Sequence, residues 1–349
     1  PDAPESLPYT KSYYIGASNG PRVNEYLHEL NEKVLKRYDV MTVGEAPNTN
    51  ADQALRYTKP ENEELNMVFH FDHMHLDYGR YGKFSDVRFK LSELKRVLSE
   101  WQDKLAEGWN SLYWSNHDQP RAVTRFGDDG VYRVESAKML ATLLHMMKGT
   151  PYIFQGEELG MKNVPFEKVE DYQDIETQYF LQLMKEKGEP ESYIKESMYL
   201  KSRDNARTPF PWNGDANDGY GFSPSKPWIA YSSDNQFINA ESALEDEGSV
   251  FYYYKQLIAL RHQLPIIVHG DYELINESDS NVYSYLRTYE NQMLLVVCSF
   301  ADKPTYVDLP KELLERSGRC LIHNYPKEPS SLNVKQELQP YEAFVYLFD

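Results

Sequence analysis

Three stretches of the sequence combine carboxylate, imidazole and guanidinium side chains at spacings suited to chemistry. Glu45 ends a short apolar run directly behind Gly44, residues 116–121 read NHDQPR, and residues 203–209 read RDNARTP. A carboxylate at the end of a buried strand is partly removed from water, which raises its pKa toward the value that a general acid requires. Glu45 is therefore a candidate general acid, and a structural ion pair is the alternative interpretation.

The segment 116–121 is the densest polar cluster in the chain, and it directly follows an apolar stretch. His117 and Asp118 lie side by side and can donate and accept hydrogen bonds, as recognition of neighbouring sugar hydroxyls requires. No second histidine or carboxylate stands at compact ligand spacing around them, so a metal site is the less favoured interpretation and we predict none. A capped helix start is the structural alternative.

Arg203 and Arg207 are four residues apart and offer two planar guanidinium groups. Such groups make bidentate hydrogen bonds to carboxylates or to vicinal hydroxyls. Several aromatic residues lie in the same part of the chain: Trp212, Tyr220, Phe222 and Trp228. Aromatic faces beside charged hydrogen-bonding groups favour a carbohydrate pocket. Ordinary loop packing is the alternative, because the chain contains 28 tyrosines in all.

These residues must be positioned by secondary structure, and the pattern of apolar residues predicts alternating helices and strands. The predicted helices cover residues 22–38, 91–105, 135–147, 172–187 and 250–264. The predicted strands cover residues 39–45, 65–71, 111–115 and 151–155. The connections between strands are long enough to return each one parallel to the last.

Polar residues follow every predicted strand, namely Glu45, Asp72 with His73, residues 116–118, and Gln155 with Glu157 and Glu158. In a β/α barrel the carboxyl ends of the strands carry the chemistry, and eight strands are needed to close it. The predicted fold is therefore α/β, the C-terminal half of a (β/α)8 TIM barrel, over residues 1–265. Alternating runs near the C-terminus predict a small antiparallel β-sandwich, an all-β domain over residues 266–349.

Residues 156–230 form a proline-rich and aromatic-rich excursion, which is typical of functional loops.

The chain of 349 residues carries 37 basic and 54 acidic side chains, a net charge of −17 that disfavours a nucleic-acid partner. No apolar run approaches the roughly 20 residues of a bilayer crossing. We predict no membrane partner, no cofactor and a cytoplasmic location. Two cysteines do not make a disulfide framework.

Residues 41–45, 116–121 and 149–158 resemble, in order and spacing, three signature segments of the α-amylase family of glycoside hydrolases. Residues 203–212 resemble the branch of that family that contains oligo-1,6-glucosidase, dextran glucosidase and α-glucosidase. The resemblance covers nearly the whole chain. It implies a barrel with its active site at the carboxyl ends of the strands.

The resemblance also implies a role for each matching residue. Glu45 corresponds to the catalytic general acid/base, and Asp118 to the catalytic aspartate that stabilises the transition state and orients the sugar. His117 would hydrogen-bond the same sugar. Arg203 would close the pocket at the non-reducing end, and Arg207 would face the next subsite. Within the last signature segment, Gln155 and Glu157 are expected to be structural.

One part of the family pattern is absent. The catalytic nucleophile of the family is an aspartate in a segment like Phe-Arg-Met-Asp, and no such segment occurs here. Asp39 and Asp72 do not occupy its place. We therefore expect the chain to begin just after the nucleophile, so that the first four barrel strands and the calcium site of some relatives would lie in a missing N-terminal part of the same protein. Retaining hydrolysis needs two carboxyl groups about 5 to 5.5 Å apart, and this chain supplies one.

The resemblance thus implies a retaining α-glucosidase that releases glucose from the non-reducing end of short α-1,6-linked gluco-oligosaccharides. An α-1,4-glucosidase and a sucrose hydrolase are alternatives within the family. Sucrose isomerisation is disfavoured because residues 75–79 lack the Arg-Leu-Asp-Arg sequence of the isomerases. A non-catalytic amylase-like binding protein is the alternative of another class. We expect these residues alone to be inactive and unstable without the missing part, since a half barrel exposes strand edges.

Overall fold

The structure is a computed structural model that describes residues 19–327, 329 and 331–349. The first part of the chain alternates helices and short strands, as the apolar pattern predicts. Its helices are α1 (Val23–Lys33), α2 (Ala51–Thr58), α3 (Leu91–Lys104), α4 (Ala122–Phe126) and α5 (Arg133–His145). Its strands are β1 (Val43–Glu45), β2 (Met67–Phe69), β3 (Ser111–Leu112) and β4 (Thr150–Pro151).

The four strands lie side by side in chain order, and every pairing between them is parallel. Strand β1 pairs with β2, a bridge between Val68 and Asn110 joins β2 to the start of β3, and β3 pairs with β4. The strands are shorter than predicted because the chain leaves the ladder after two or three residues. Their carboxyl ends share one edge. The other side of β1 has no strand partner among the described residues.

Gly44 allows β1 to lie close to the chain that leads into β2. A Cβ atom at this position would lie 2.8 Å from Cδ1 of Leu65, so a larger residue would require the Leu65 side chain to move. On the other side of Glu45, helix α2 begins with a capping box in which Asn50 and Gln53 bond to each other's backbone. Both ends of the Glu45 segment are fixed locally.

Helix α5 is buried on all sides between the strand row and the C-terminal domain. Leu140, Leu143 and Leu144 are each at most 3% exposed, and the side chains contribute roughly 1.5–3 kcal/mol each by leaving water. Helix α9 (Val250–Gln263) packs against it, with Tyr253 Oη lying 2.7 Å from Thr142 Oγ1. None of the described helices combines the length and apolar character needed to cross a membrane.

The excursion after β4 is more ordered than predicted. Helix α6 (Ile175–Lys187) begins three residues later than the predicted start, because the side chain of Asp174 caps it. Helix α7 (Glu191–Lys201) was not predicted from the sequence. Its Ile194 and Met198 pack with α6 around Phe84. A 3₁₀ helix at Arg203–Arg207 and helix α8 (Ala240–Glu245) follow.

The C-terminal part is an antiparallel domain, which confirms that part of the predicted fold. After the short helix α10 (Pro265–His269), its strands are β5 (Asp271–Ile275), β6 (Val282–Tyr289), β7 (Gln292–Ser299), β8 (Thr305–Asp308), β9 (Gly318–His323), β10 (Lys335–Leu338) and β11 (Ala343–Phe348). A short helix α11 (Lys311–Leu314) lies between β8 and β9. The main sheet has the order β5-β6-β7-β11-β9, and β8 pairs with β10 in a small second sheet. Alternate residues of β6 face opposite sides: Val282 and Leu286 pack toward the second sheet, and Tyr283 and Tyr285 pack in the cluster of α5.

Candidate active site

Glu45 stands at the carboxyl end of β1, and its side chain is exposed. Among the described residues its carboxylate makes no hydrogen bond or ion pair, so the structural ion pair that the sequence left open is not formed here. The expected removal from water is not seen either. Among the described residues, β1 has a neighbouring strand, β2, on one side only, so the end of β1 stays open to solvent. The structure thus holds a carboxylate free for proton transfer at the strand end.

The loop after β3 presents His117 and Asp118 at the same edge. A hydrogen bond from the Asp118 backbone N–H to Oδ1 of Asn116, at 2.8 Å, shapes this loop. Oδ2 of Asp118 lies 3.5 Å from Nε2 of His117. The segment leads directly into α4, because its last residue, Arg121, is the N-cap residue of that helix, without a side-chain cap hydrogen bond. The helix start that the sequence left open is therefore present, but no side chain of the segment caps it.

Arg203 and Arg207 meet Asp118 from the other side. Nη2 of Arg207 lies 2.6 Å from Oδ1 of Asp118, and Nη1 of Arg203 lies 3.5 Å from the same oxygen. Arg207 also donates through Nε to the carbonyl of His117, at 3.0 Å. The structure therefore brings together four of the five predicted site residues. Glu45, the fifth, lies at the same edge two strands away, with no direct contact to this cluster.

Asp174 is a member of the cluster that the sequence analysis missed. Its Oδ1 accepts from Nε of Arg203 at 2.9 Å and from Nη1 of Arg207 at 3.2 Å, and its side chain is 2% exposed. Burial alone would raise the pKa of Asp174, but the hydrogen bond and charge of Arg203, the Thr177 N–H and the charge of Arg207 lower it below the ordinary value. The one local feature that marks Asp174 in the sequence is that of a helix cap, an aspartate three residues before Thr177.

Lys83 was also missed. Its ammonium group donates to the carbonyl of Asp118 at 3.2 Å and to Oε2 of Glu176 at 2.9 Å. Burial lowers the pKa of Lys83, and the charge of Glu176 opposes that effect. A tight turn places Lys83 here, because Gly79 and Gly82 exchange two backbone hydrogen bonds. The two glycines could have predicted a turn, but no local pattern in the sequence predicts that this turn lies beside Asp118.

Arg121 connects the arginine segment to the end of β4. Its buried guanidinium donates to the carbonyl of Gln155 at 2.6 Å and to the carbonyl of Asn205 at 2.9 Å. Nη2 lies 3.3 Å from Oγ1 of Thr208. Burial lowers the pKa of Arg121 to about 10. The last residue of the NHDQPR segment therefore fixes the position of Arg203 and Arg207 and does not face the site.

Glu157 lies behind the site and is buried. Ser115 donates a 2.5 Å hydrogen bond to its Oε1. Burial raises the pKa of Glu157 to about 8, although the Ser115 hydrogen bond opposes this. In the unfolded chain the same group titrates near the ordinary glutamate pKa of about 4.3. Between these two values the unfolded state gains a charge that the folded state does not, so folding stability falls as the pH rises from about 4 to 8.

Glu157→Gln is therefore expected to be more stable than the wild type at pH 8 and nearly equal to it at pH 5. The expected gain at pH 8 is at most roughly 5 kcal/mol, since the two pKa values differ by almost four units and each unit corresponds to about 1.36 kcal/mol. Urea unfolding at both pH values measures it, with the exposed Glu61→Gln as control. A gain of the same size at both pH values would show that burial of the charge is not the cause.

Among the described residues, His28, Glu32 and Glu63 are the one group of side chains compact enough to hold a metal ion. This group lies on α1 and the loop before β2 and includes none of the site residues. The cluster of Asp118, Asp174, Arg203 and Arg207 instead alternates carboxylates with guanidinium groups. Such a surface suits the hydroxyl groups of a sugar, which need donors and acceptors side by side.

Comparison with known proteins identifies the class of protein that this fold and site define. Residues 1–270 match the α-amylase catalytic domain, and residues 272–345 match the maltogenic amylase C-terminal domain. The chain belongs to the α-amylase family. Within the family it is 48% identical to the oligo-1,6-glucosidase of Parageobacillus thermoglucosidasius, an alignment that covers 99% of this chain and 62% of that one. The predicted family resemblance is confirmed, and the identity is consistent with the oligo-1,6-glucosidase branch.

Three other relatives carry different names. The trehalose-6-phosphate hydrolase of Bacillus subtilis is 46% identical over 96% of this chain and 59% of its own length. The crystal structure of the Bacillus licheniformis trehalose-6-phosphate hydrolase superposes with a TM-score of 0.92 at 45% identity, over 99% of this chain and 62% of that one. The isomaltulose synthase of Klebsiella sp. LX3 gives a TM-score of 0.88 at 37% identity, over 95% of this chain and 59% of that one. The chain therefore spans about three fifths of the length of these relatives.

Proposed function

We propose that the protein is a retaining α-glucosidase that releases glucose from the non-reducing end of short α-1,6-linked gluco-oligosaccharides. The observation that carries the proposal is the free carboxylate of Glu45 at the same strand edge as the pairing of Asp118 with Arg203 and Arg207. The 48% identity to an oligo-1,6-glucosidase supports the proposed preference for α-1,6-linked substrates.

In the proposed mechanism, Glu45 protonates the oxygen of the leaving group while a second carboxylate attacks the anomeric carbon. Glu45 then removes a proton from the water that releases the glucose. We propose that the attacking group is an aspartate outside these residues, because they contain no segment like Phe-Arg-Met-Asp. Among the described residues Glu45 has no ion pair that either proton transfer would have to break.

Asp118 and His117 are proposed to bind the sugar whose bond is cleaved. Oδ1 of Asp118 is occupied by the two guanidinium groups, and Oδ2 faces the exposed ring of His117. Oδ2 and the imidazole therefore remain for neighbouring hydroxyls. Arg203 is proposed to close the pocket behind this sugar, and Arg207 to line the next subsite.

We further propose that residues 1–265 are the C-terminal part of a (β/α)8 barrel and that residues 266–349 are the separate all-β domain. The parallel row β1-β2-β3-β4 supplies half of the strands that a barrel requires. Among the described residues, one edge of β1 has no strand partner. This supports the proposal that a strand from an N-terminal part of the same protein lies beside that edge. That part would also carry the nucleophile.

A second candidate is hydrolysis of a phosphorylated disaccharide, favoured by the identity to trehalose-6-phosphate hydrolases and by the Lys83 ammonium beside Asp118. In this structure Lys83 is already paired with Glu176, which argues for an uncharged substrate. A direct comparison of substrates distinguishes the α-1,6-linked gluco-oligosaccharide from the phosphorylated disaccharide.

We expect kcat/KM for isomaltose to exceed that for maltose, sucrose and trehalose 6-phosphate by at least about tenfold, a transition-state preference of about 1.4 kcal/mol. Glucose release is measured for each substrate with protein expressed from the complete gene, and the Glu45→Gln variant sets the background. A preference for trehalose 6-phosphate would replace the proposed substrate with the second candidate. Binding of isomaltose without glucose release would favour the non-catalytic alternative.

A further inference from the structure

Two carboxylates lie at opposite ends of the arginine pair. Arg203 presents Nη1 to Asp118 at 3.5 Å and Nη2 to Asp174 at 2.7 Å. Arg207 presents Nη2 to Asp118 at 2.6 Å and Nη1 to Asp174 at 3.2 Å. Each guanidinium therefore bridges the same two carboxylates. We propose that Asp174 is a positioning residue that holds both arginines in place and keeps Oδ2 of Asp118 open to the sugar, an inference that rests on the proposed function.

The carboxylate of Asp174 is itself fixed by several groups. Its Oδ2 accepts from the backbone N–H of Thr177 at 3.1 Å and lies 3.2 Å from Oγ1 of Thr177. Its own backbone N–H and that of Gln173 donate to Oδ2 of Asp204, at 3.0 and 2.7 Å. Asp204 stands between the two arginines in sequence. The segment that carries the arginines thus also holds the backbone of the residue that orients them.

The nearby Glu176 does not provide the same support. Its Oε2 lies 3.5 Å from Nε of Arg203, its side chain is 40% exposed, and it pairs with Lys83. Asp174 is 2% exposed and contacts both guanidinium groups. The strength of an ion pair rises as water is excluded from it. Asp174 is therefore the stronger of the two partners for the arginines.

The charges indicate what the loss of Asp174 would do. With both carboxylates present, two cations lie between two anions. Without the negative charge of Asp174, Asp118 would be the one carboxylate that still contacts both guanidinium groups among the described residues, and both would turn toward it. Oδ2 of Asp118 would then be occupied by arginine, and a sugar hydroxyl would have to displace it. Binding would weaken, whereas the proton transfer at Glu45, two strands away, would not change.

The test is Asp174→Asn, which keeps the size and an oxygen able to cap α6 but removes the charge. We expect KM for isomaltose to rise at least about tenfold and kcat/KM to fall by a larger factor, because the resemblance gives Asp118 a role in stabilising the transition state as well as in binding the sugar. Asp215→Asn is the matched control, since Asp215 also caps a short helix but lies on an exposed loop. In an Arg207→Gln background, Asp174→Asn should raise KM by a smaller factor, because the two residues act as a unit.

Two outcomes would overturn the inference: an unchanged KM, whether or not kcat falls, or a full additional effect in the Arg207→Gln background. A loss of thermal stability with both kinetic constants unchanged would reduce Asp174 to a helix cap. Failure of the wild type to cleave isomaltose would instead overturn the proposed substrate. The same comparison of KM with kcat would then be made on whichever substrate of the panel the wild type cleaves.

Discussion

Glu45→Gln is expected to lower kcat/KM for isomaltose by roughly 10²- to 10⁴-fold, the range that a positioned general acid/base supplies. The variant keeps the size of the side chain and removes the proton that the leaving oxygen needs. Among the described residues Glu45 has no hydrogen-bond or ion-pair partner, so the substitution breaks no such contact there. Initial rates of glucose release, with protein from the complete gene, measure the effect.

A second substrate separates proton donation from other roles of Glu45. The nitrophenolate of 4-nitrophenyl α-glucoside leaves without protonation, so Glu45→Gln should release a first equivalent of nitrophenolate at a rate close to that of the wild type. The following hydrolysis step should stay slow, since no base activates the water. Glu61→Gln, another exposed glutamate, serves as control. Equal losses on isomaltose and on the first nitrophenolate equivalent would exclude Glu45 as the general acid.

Asp77→Ala is expected to reduce the free energy of unfolding by about 3–5 kcal/mol. The Asp77 carboxylate is 3% exposed and accepts from Nε and Nη2 of Arg125 at 2.8 and 2.7 Å, and it also pairs with buried Lys201. Burial would raise the pKa of Asp77, but the two cations lower it. Alanine would leave Arg125 and Lys201 in the interior with neutral hydrogen-bond acceptors but without the carboxylate that balances their charge, which is costly.

Asp52→Ala is the matched control for this prediction. Asp52 also pairs with a lysine, Lys104, at 2.8 Å, but both side chains are exposed. Solvent and ions screen such pairs, so its removal should change stability far less. Urea unfolding at pH 7 of the wild type and both variants gives the comparison. Similar losses for Asp77→Ala and Asp52→Ala would mean that the interior network does not hold the loop after β2 against α4 and α7.

The sequence predicted the four strands and the residues at their carboxyl ends because both depend on local patterns. An apolar run that ends in a polar residue marks the carboxyl end of a buried strand, as at Glu45 and at residues 116–118. Strand length was overestimated, since an apolar residue beyond the ladder is also buried by the helices. Helix α2 was missed although Asn50 and Gln53 form a readable capping box. Its apolar stripe is only two turns long.

The site residues divide in the same way. His117, Asp118, Arg203 and Arg207 stand in dense polar motifs, and the structure brings them together as predicted. Asp174 stands 29 residues before Arg203 and carries only the mark of a helix cap. Its contact with the arginines depends on how the α6–α7 helices fold back over the strand edge. The exposure of Glu45 likewise depends on neighbours across the strand row, which no local pattern reports.

The most direct test of the proposed function is the configuration of the glucose first released from isomaltose. Proton NMR during the first turnovers, with protein from the complete gene, distinguishes the anomers before they equilibrate. Two carboxylates acting in sequence retain the configuration, so an excess of α-glucose should appear above the anomeric mixture that the reducing-end glucose contributes. Glu45→Gln should release almost none. An early excess of β-glucose, or no glucose from the wild type, would contradict a retaining α-glucosidase with Glu45 as its acid/base.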